Sequence, residues 1–184
     1  MKQSTMKRLS VLFIFLLLLA ASAGRADPPR VVVINIHGTI WPGTATFVRR
    51  QLDTAYQQGA AGVILDLDTT GGSPAAAGDI KQAILDHQSA FPIAAFVHDH
   101  ATGPGSLIAV ACKTLALSPG ASLGDAPTGA KSEFRAAADA NHRNPAVAAA
   151  FVSADSDLPA LGVKSGDSLT LTTGQAQGAG YADL

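Results

Sequence analysis

A single cysteine, Cys112, stands in a chain of 184 residues, so no intramolecular disulfide braces the fold. Its setting, Ile108-Ala109-Val110-Ala111-Cys112-Lys113, is apolar, which suits a buried inert thiol rather than a reactive one. Aromatic residues are scarce: seven Phe, two Tyr and one Trp. Alanine and glycine are abundant instead, so helices are expected to meet closely through small side chains. Basic clusters are missing too. Without Lys2, Lys7 and Arg8, ten cations face fourteen carboxylates, which argues against nucleic acid as a partner. No internal repeat and no low-complexity tract interrupts the chain.

One long apolar run is present, and it comes first. Lys2, Lys7 and Arg8 precede Val11 to Ala20, and Ala21-Ser22-Ala23 follows as a small-x-small site. That order predicts a secretory signal peptide over residues 1–23, cleaved after Ala23 or, alternatively, Ala26, with an uncleaved anchor as the other outcome. Ten apolar residues are short for a bilayer span. The expected locale is across the inner membrane, periplasmic or membrane-associated. Residues 24–184, about 160 in number, suffice for one domain that buries about 70% of its unfolded surface.

The domain organises around Asp66-Leu67-Asp68-Thr69-Thr70-Gly71-Gly72-Ser73-Pro74. An apolar run from Val63 to Leu67 leads into two glycines, and Ser73-Pro74 supplies a helix N-cap with proline at the first helical position. Such a turn aims backbone N–H groups beyond the strand end, where they can hold an anion or a polarised carbonyl oxygen. The glycines also have a purely structural reading, as a turn that needs φ > 0.

Around this turn the spacing predicts alternating elements. Val31 to Ile36 reads as a strand covered on both faces, and Thr44 to Gln58 as a helix with Val48, Leu52 and Ala55 inward and Gly59 as its stop. A second strand over Val63 to Leu67 leads to a helix from Pro74 to His87, with Ala76, Ile80, Ala83 and Ile84 buried. Ile93 to Val97 is a third strand, Ser106 to Cys112 an apolar helix, and Leu115 to Leu117 a short strand. Ser122 to Ala130 reads as a loop, Lys131 to Asn141 and Pro145 to Val152 as helices, and Ser168 to Leu184 as a short strand, a helix and an ending. Strand–helix alternation with short connections implies a parallel sheet with right-handed crossovers.

Five segments, in order, resemble the ClpP-class domain of long NfeD proteins, relatives of the SppA signal-peptide peptidases in the ClpP/crotonase superfamily. They are V-V-V-I-N-I-H-G-T-I, G-V-I-L-D-L-D-T-T-G-G-S, F-P-I-A-A-F-V, L-I-A-V-A-C-K-T-L-A-L-S-P-G-A-S-L-G-D-A and L-T-L-T-T-G-Q-A-Q-G-A-G-Y-A-D. H-R-N-P further resembles the family's G-R-N element. The resemblance implies an α/β fold, a spiral of ββα units with a mostly parallel sheet. It also implies a serine–lysine pair, in which a neutral lysine takes the serine proton while backbone N–H groups hold the oxyanion.

Carried over residue by residue, Gly71 and Gly72 match the oxyanion turn, with Thr70 in place of the usual proline. The nucleophile position falls on Gly103, and the following Pro104 removes a second oxyanion N–H. Ser106, three residues on, is a candidate displaced nucleophile or the start of its helix. Lys131 is the candidate base or the start of an amphipathic helix, and no histidine lies between Ser118 and His142.

Other polar groups have bland and sharp readings side by side. His98 and His100 on one strand face, with Asp99, suggest a zinc set, but no third ligand lies nearby in sequence, so a solvated strand end is expected and no metal. Asp66 and Asp68 suggest paired acid–base carboxylates, against a strand edge and turn cap. His37 reads as a loop histidine and Trp41 as a groove contact or core anchor.

Three functions follow. The first is a serine endopeptidase, using Ser106 and Lys131, that acts on hydrophobic peptide segments of membrane proteins. The second is a non-catalytic peptide- or partner-binding relative, degenerate at Gly103. The third and least favoured is a crotonase-like enzyme acting on acyl thioesters. No cofactor is expected. The resemblance implies a stomatin-type membrane partner and a homo-oligomer. Ending before the membrane helices and small barrel of long relatives, the chain reads as a short form or a truncation.

Overall fold

The computed structural model describes residues 28–126, 129–155 and 157–183. The expected signal peptide, residues 1–23, lies outside the described residues. Among the described residues six strands form one sheet. β1 (Val31–His37), β2 (Gly62–Thr69) and β3 (Ile93–Thr102) run parallel, in register Val33↔Ile64↔Ala94. β3 then serves two neighbours. Its first half pairs with β4 (Thr114–Leu117), and its last three residues pair with β5 (Ser122–Gly124). β6 (Thr170–Thr172) closes the order antiparallel to β5. The mostly parallel α/β sheet foreseen from the sequence is present.

The helices are α1 (Pro42–Gln57), α2 (Pro74–His87), α3 (Pro104–Ala111), α4 (Lys131–Ala140), α5 (Pro145–Ala150) and α6 (Thr173–Gly178). α1 packs on α2, α2 on α3, α3 on α4 and α4 on α5. Small residues carry these contacts, among them Ala77 and Ala83 of α2, Ala109 of α3 and Ala138 of α4, each fully buried. All of α3 is buried, so it is the axis of the helical layer.

Several boundaries differ from the sequence expectation. α1 begins at Pro42, not Thr44; proline fixes the first helical φ, and the Thr44 hydroxyl accepts the Trp41 N–H at 3.2 Å from inside the first turn. β1 is not covered on both faces. Ile34 and Ile36 are buried, while Val31 and Val33 are 53% and 58% exposed, because β1 is an edge strand and the helices pack on one side only. The same alternation runs through β2, whose Leu65 and Leu67 are buried while Asp66 and Asp68 keep partial exposure. β3 does not stop at Val97; its pairing with β2 shifts register after Leu67 and continues to Thr102. α3 accordingly starts at Pro104, before Ser106. Ser122–Gly124, read as loop, pairs with that extension of β3.

The C-terminal tail is fastened by a buried cation. Arg143 donates to the carbonyls of Cys112 (2.7 Å), Lys113 (3.2 Å) and Tyr181 (3.1 Å) and to the Asp183 carboxylate (3.0 Å). Phe134, Phe151 and Tyr181 stack edge to face beside it, at centroid distances of 6.1 and 5.5 Å. Burial pushes the Tyr181 hydroxyl well above its ordinary range, with Arg143 opposing. It also pushes the Cys112 thiol up to about 12, again against Arg143, so the cysteine is inert as expected.

This clamp sets a stability test. Arg143→Ala strands three carbonyls and one carboxylate, and should cost about 3 kcal/mol in urea unfolding. Asp183→Asn, at a side chain 53% exposed, should cost less than about 1 kcal/mol. Equal losses would contradict the clamp.

Candidate functional site

Three loops leave the C-terminal ends of β1, β2 and β3, and the first grips the second. Ile40 N–H donates to Gly71 O at 3.0 Å, and Ser73 N–H donates back to Ile40 O at 2.8 Å. These bonds make a short parallel bridge of Ile40 with Gly72. The Thr69 hydroxyl also donates to Gly71 O, at 3.3 Å, and Gly38 N–H to Asp68 O at 2.7 Å. Gly71 therefore spends its carbonyl inward. Neither the Gly71 nor the Gly72 N–H has a hydrogen-bond partner among the described residues. Gly72 has φ +134°, and a Cβ there would collide with the Ile40 backbone, so glycine is required. Ser73 caps α2 as foreseen, accepting from Ala76 N–H at 3.3 Å.

The third loop is a single residue. Gly103 joins β3 to α3 with φ +60° and ψ −135°, a region open to glycine and strained for other residues. Its N–H is shared between Gly124 O (3.0 Å) and Asp125 O (2.9 Å), which holds the turn from beneath. A Cβ on Gly103 would stand 3.4 Å from Gly71 Cα and 3.9 Å from Gly71 N. A side chain at this position would thus start against the Gly71 backbone and Thr70 O, the latter 3.6 Å away. Glycine leaves this position without a side chain.

Ser106 and Lys131 are each committed elsewhere. Ser106 is fully buried, and its hydroxyl donates to Gly103 O at 2.6 Å, closing the first turn of α3. Lys131 Nζ donates to Asp155 (2.8 Å) and to the Ser153 hydroxyl (3.3 Å), and Arg135 shares the same carboxylate. No hydrogen bond joins Ser106 to Lys131. The hydrogen bond from Lys131 holds the Asp155 carboxyl below its usual range, aided by the Lys131 and Arg135 charges against partial desolvation.

A cleft of about 600 Å³ opens beside these turns. Ala77 and Gly78 of α2, Pro104 and Leu107 of α3, and Phe134 of α4 supply the apolar part of its lining, and Asp79 and Gln82 of α2 part of the polar. Lys81 of α2 and Glu133 of α4 also line it and join at 2.9 Å. Pro74 and Pro104, the first residues of α2 and α3, place the cleft directly after both glycine turns.

On the open face of the sheet, parallel register gathers groups that sequence spacing keeps apart. His37 Nε2 lies 3.2 Å from Asp66 Oδ2, and His98 Nδ1 lies 3.9 Å from Asp66 Oδ1. His100 Nδ1 lies 3.5 Å from Asp68. His98 and His100 thus address different carboxylates. The signal for this cluster was the alternation of Asp66 with Asp68 and of His98 with His100; the missing link was which strands are neighbours.

The family model for the NfeD1b N-terminal domain matches residues 30–184. The membrane protein NfeD1b of Bacillus subtilis (strain 168) is 31% identical over 192 residues, which cover 96% of this chain and 44% of that protein. This chain belongs to the NfeD1b N-terminal domain family. It spans less than half the length of that curated relative. Among solved structures, the 1510-N membrane protease specific for a stomatin homolog from Pyrococcus horikoshii superposes with TM-score 0.69 at 26% identity, over 85% of this chain and 73% of that one. ClpP1 from Listeria monocytogenes gives TM-score 0.62 at 15% identity, over 82% and 88% of the chains, and shows the ClpP-like fold. Among the described residues no helix is long and apolar enough to cross a membrane.

The two glycine turns predict an order of costs. Gly103→Ala meets no closer atom than Gly71 Cα, so backbone strain alone should cost about 1–3 kcal/mol. Gly72→Ala adds a backbone collision and should cost more; the reverse order in urea unfolding would refute the turn geometry. At Asp155, a lowered pKa means that the tie to Lys131 is present above the ordinary carboxylate range and is lost as pH falls through the lowered value. Carboxyl NMR should place its midpoint below 3.8, and Lys131→Met should raise it.

Proposed function

We propose that this domain holds hydrophobic peptide segments of membrane proteins at the paired glycine turns without cutting them. The observation that carries this reading is Gly103. Its backbone keeps a strand-to-helix turn, strained for any other residue, at the position a nucleophile would occupy beside Gly71, but it bears no side chain. The Gly71 and Gly72 N–H groups are the donors that would receive a peptide carbonyl. The cleft of about 600 Å³ beyond Pro74 and Pro104 is the receptacle for an apolar side chain. Without an activated serine, such a site supports binding and only residual catalysis.

The serine–lysine alternative finds little support in the geometry. Ser106 is sealed from the cleft and bonded to Gly103 O, and Lys131 sits in an ion pair with Asp155. A base that accepts a serine proton needs hydrogen-bonding reach to that serine. The acyl-thioester reading shares only the glycine turn. The solved relative specific for a stomatin homolog supports a stomatin-type membrane protein as the source of the bound segment. Export, a periplasmic or membrane-associated locale and self-association complete the proposal.

The test uses a fluorescent apolar peptide and an active-serine probe. The chain should bind the peptide saturably and resist fluorophosphonate labelling. Gly78→Trp fills the cleft at a position where a Cβ meets only Glu133 Oε2 at 3.8 Å. It should weaken binding by about tenfold or more, on the order of 1.4 kcal/mol, with unfolding unchanged. Labelling that Ser106→Ala abolishes would overturn the proposal, as would peptide binding indifferent to Gly78→Trp.

A further inference from the structure

We propose that the cleft beside the glycine turns selects a bound peptide by a basic side chain, a lysine or arginine whose stem lies on the apolar lining and whose cationic end meets Asp79 and Glu133. This rests on the reading of the cleft as the receptacle of a peptide side chain, and it narrows what enters: apolar along its stem, positive at its tip. Ala77 of α2, Leu107 of α3 and Phe134 of α4 line the cleft, and all three are buried. Its volume of about 600 Å³ falls among pockets that take small ligands, ample for one such side chain.

The charges on that lining are unbalanced. One cation, Lys81, stands against two carboxylates, Asp79 and Glu133. Lys81 Nζ is spent on Glu133 Oε2, at 2.9 Å. Glu133 Oε1 and the Asp79 carboxylate have no ion-pair partner among the described residues. The Glu133 carboxylate also reaches across from α4 to α2. A Cβ on Gly78, itself a lining residue, would stand 3.8 Å from Glu133 Oε2, and Asp79 is the next residue along α2.

Other occupants fit less well. An acidic side chain would meet two carboxylates and would have to draw Lys81 away from Glu133. A wholly apolar one would take water from both carboxylates and return no partner, which is costly for a charge. An ammonium or guanidinium answers that loss, and the lining already houses one such group. The Lys81 side chain is only 16% exposed while its Nζ sits on Glu133. Lysine and arginine lay their stems along apolar surface and keep the charged head at a polar edge, as they do near the ends of membrane helices. A basic residue beside an apolar run is therefore compatible with a segment of a membrane protein.

The test compares a fluorescent apolar host peptide with variants in which one norleucine at a time becomes lysine, a nearly isosteric exchange that adds only the charge. One position should gain about fivefold in affinity, the upper range for a partly exposed ion pair, and the gain should shrink as salt is raised. Glutamate at that position should lose affinity. Asp79→Asn and Glu133→Gln should each halve the lysine-to-norleucine ratio or reduce it further, and Lys81→Met should raise it. Asp79 is exposed, so its amide variant separates lost preference from lost folding. A parent peptide that binds while no position gains from lysine would overturn this inference and leave peptide binding standing. So would an equal gain at every position, which is bulk attraction, or a ratio that Asp79→Asn and Glu133→Gln leave intact. Binding of no peptide at all would overturn the peptide reading and this inference with it.

Discussion

Two backbone hydrogen bonds from Ile40 hold the turn on which the rest of the site depends. Because Ile40 takes Gly71 O and offers its own carbonyl to Ser73 N–H, the glycine turn is pinned on its inner side. The Gly71 and Gly72 N–H groups are then left without a hydrogen-bond partner among the described residues. That arrangement needs Ile40 itself to be fixed, and it is fully buried in the core. The grip also leaves no room at position 72, so the glycine there is a steric requirement and not only a conformational one. Preorganised donors of this kind act on a carbonyl oxygen without reorganising, whether or not a bond is later broken.

Much of this was legible in the sequence. The Gly-Gly-Ser-Pro punctuation marked a strand end, a turn and a capped helix start, because each residue type has a local reason to sit there. Gly59 likewise stopped α1 with φ +65°. What local pattern could not supply was the neighbourhood. The β-branched run of Val31 to Ile36 looks the same on an edge strand as in a sheet centre, so the exposure of Val31 and Val33 went unseen. Ser122–Gly124 is too short to announce a strand, and its pairing with β3 comes from a register shift far away in sequence.

The site shows the same division. Gly71, Gly72 and Gly103 could be placed by motif, since each sits at a turn between elements. Ser106 could not be judged that way: its burial and its bond to Gly103 O follow from α3 starting two residues early at Pro104. Lys131 heads a helix as read, but its partners, Ser153 and Asp155, come from a segment whose sequence is polar and irregular. The cluster of His37, Asp66 and His98 was the hardest to see. The spacing between these residues is meaningless until the parallel order β1–β2–β3 makes them neighbours.

Gly103 shows why glycine suits the turn from β3 into α3. An L-residue held at φ +60° and ψ −135° carries strain of about 1–3 kcal/mol. Glycine adopts the same angles without that strain. The bonds from Gly103 N–H to Gly124 O and Asp125 O hold the turn in place without a side chain at this position. Alanine or valine there would carry that strain. The turn thus brings Gly103 against the Gly71 backbone at no conformational cost.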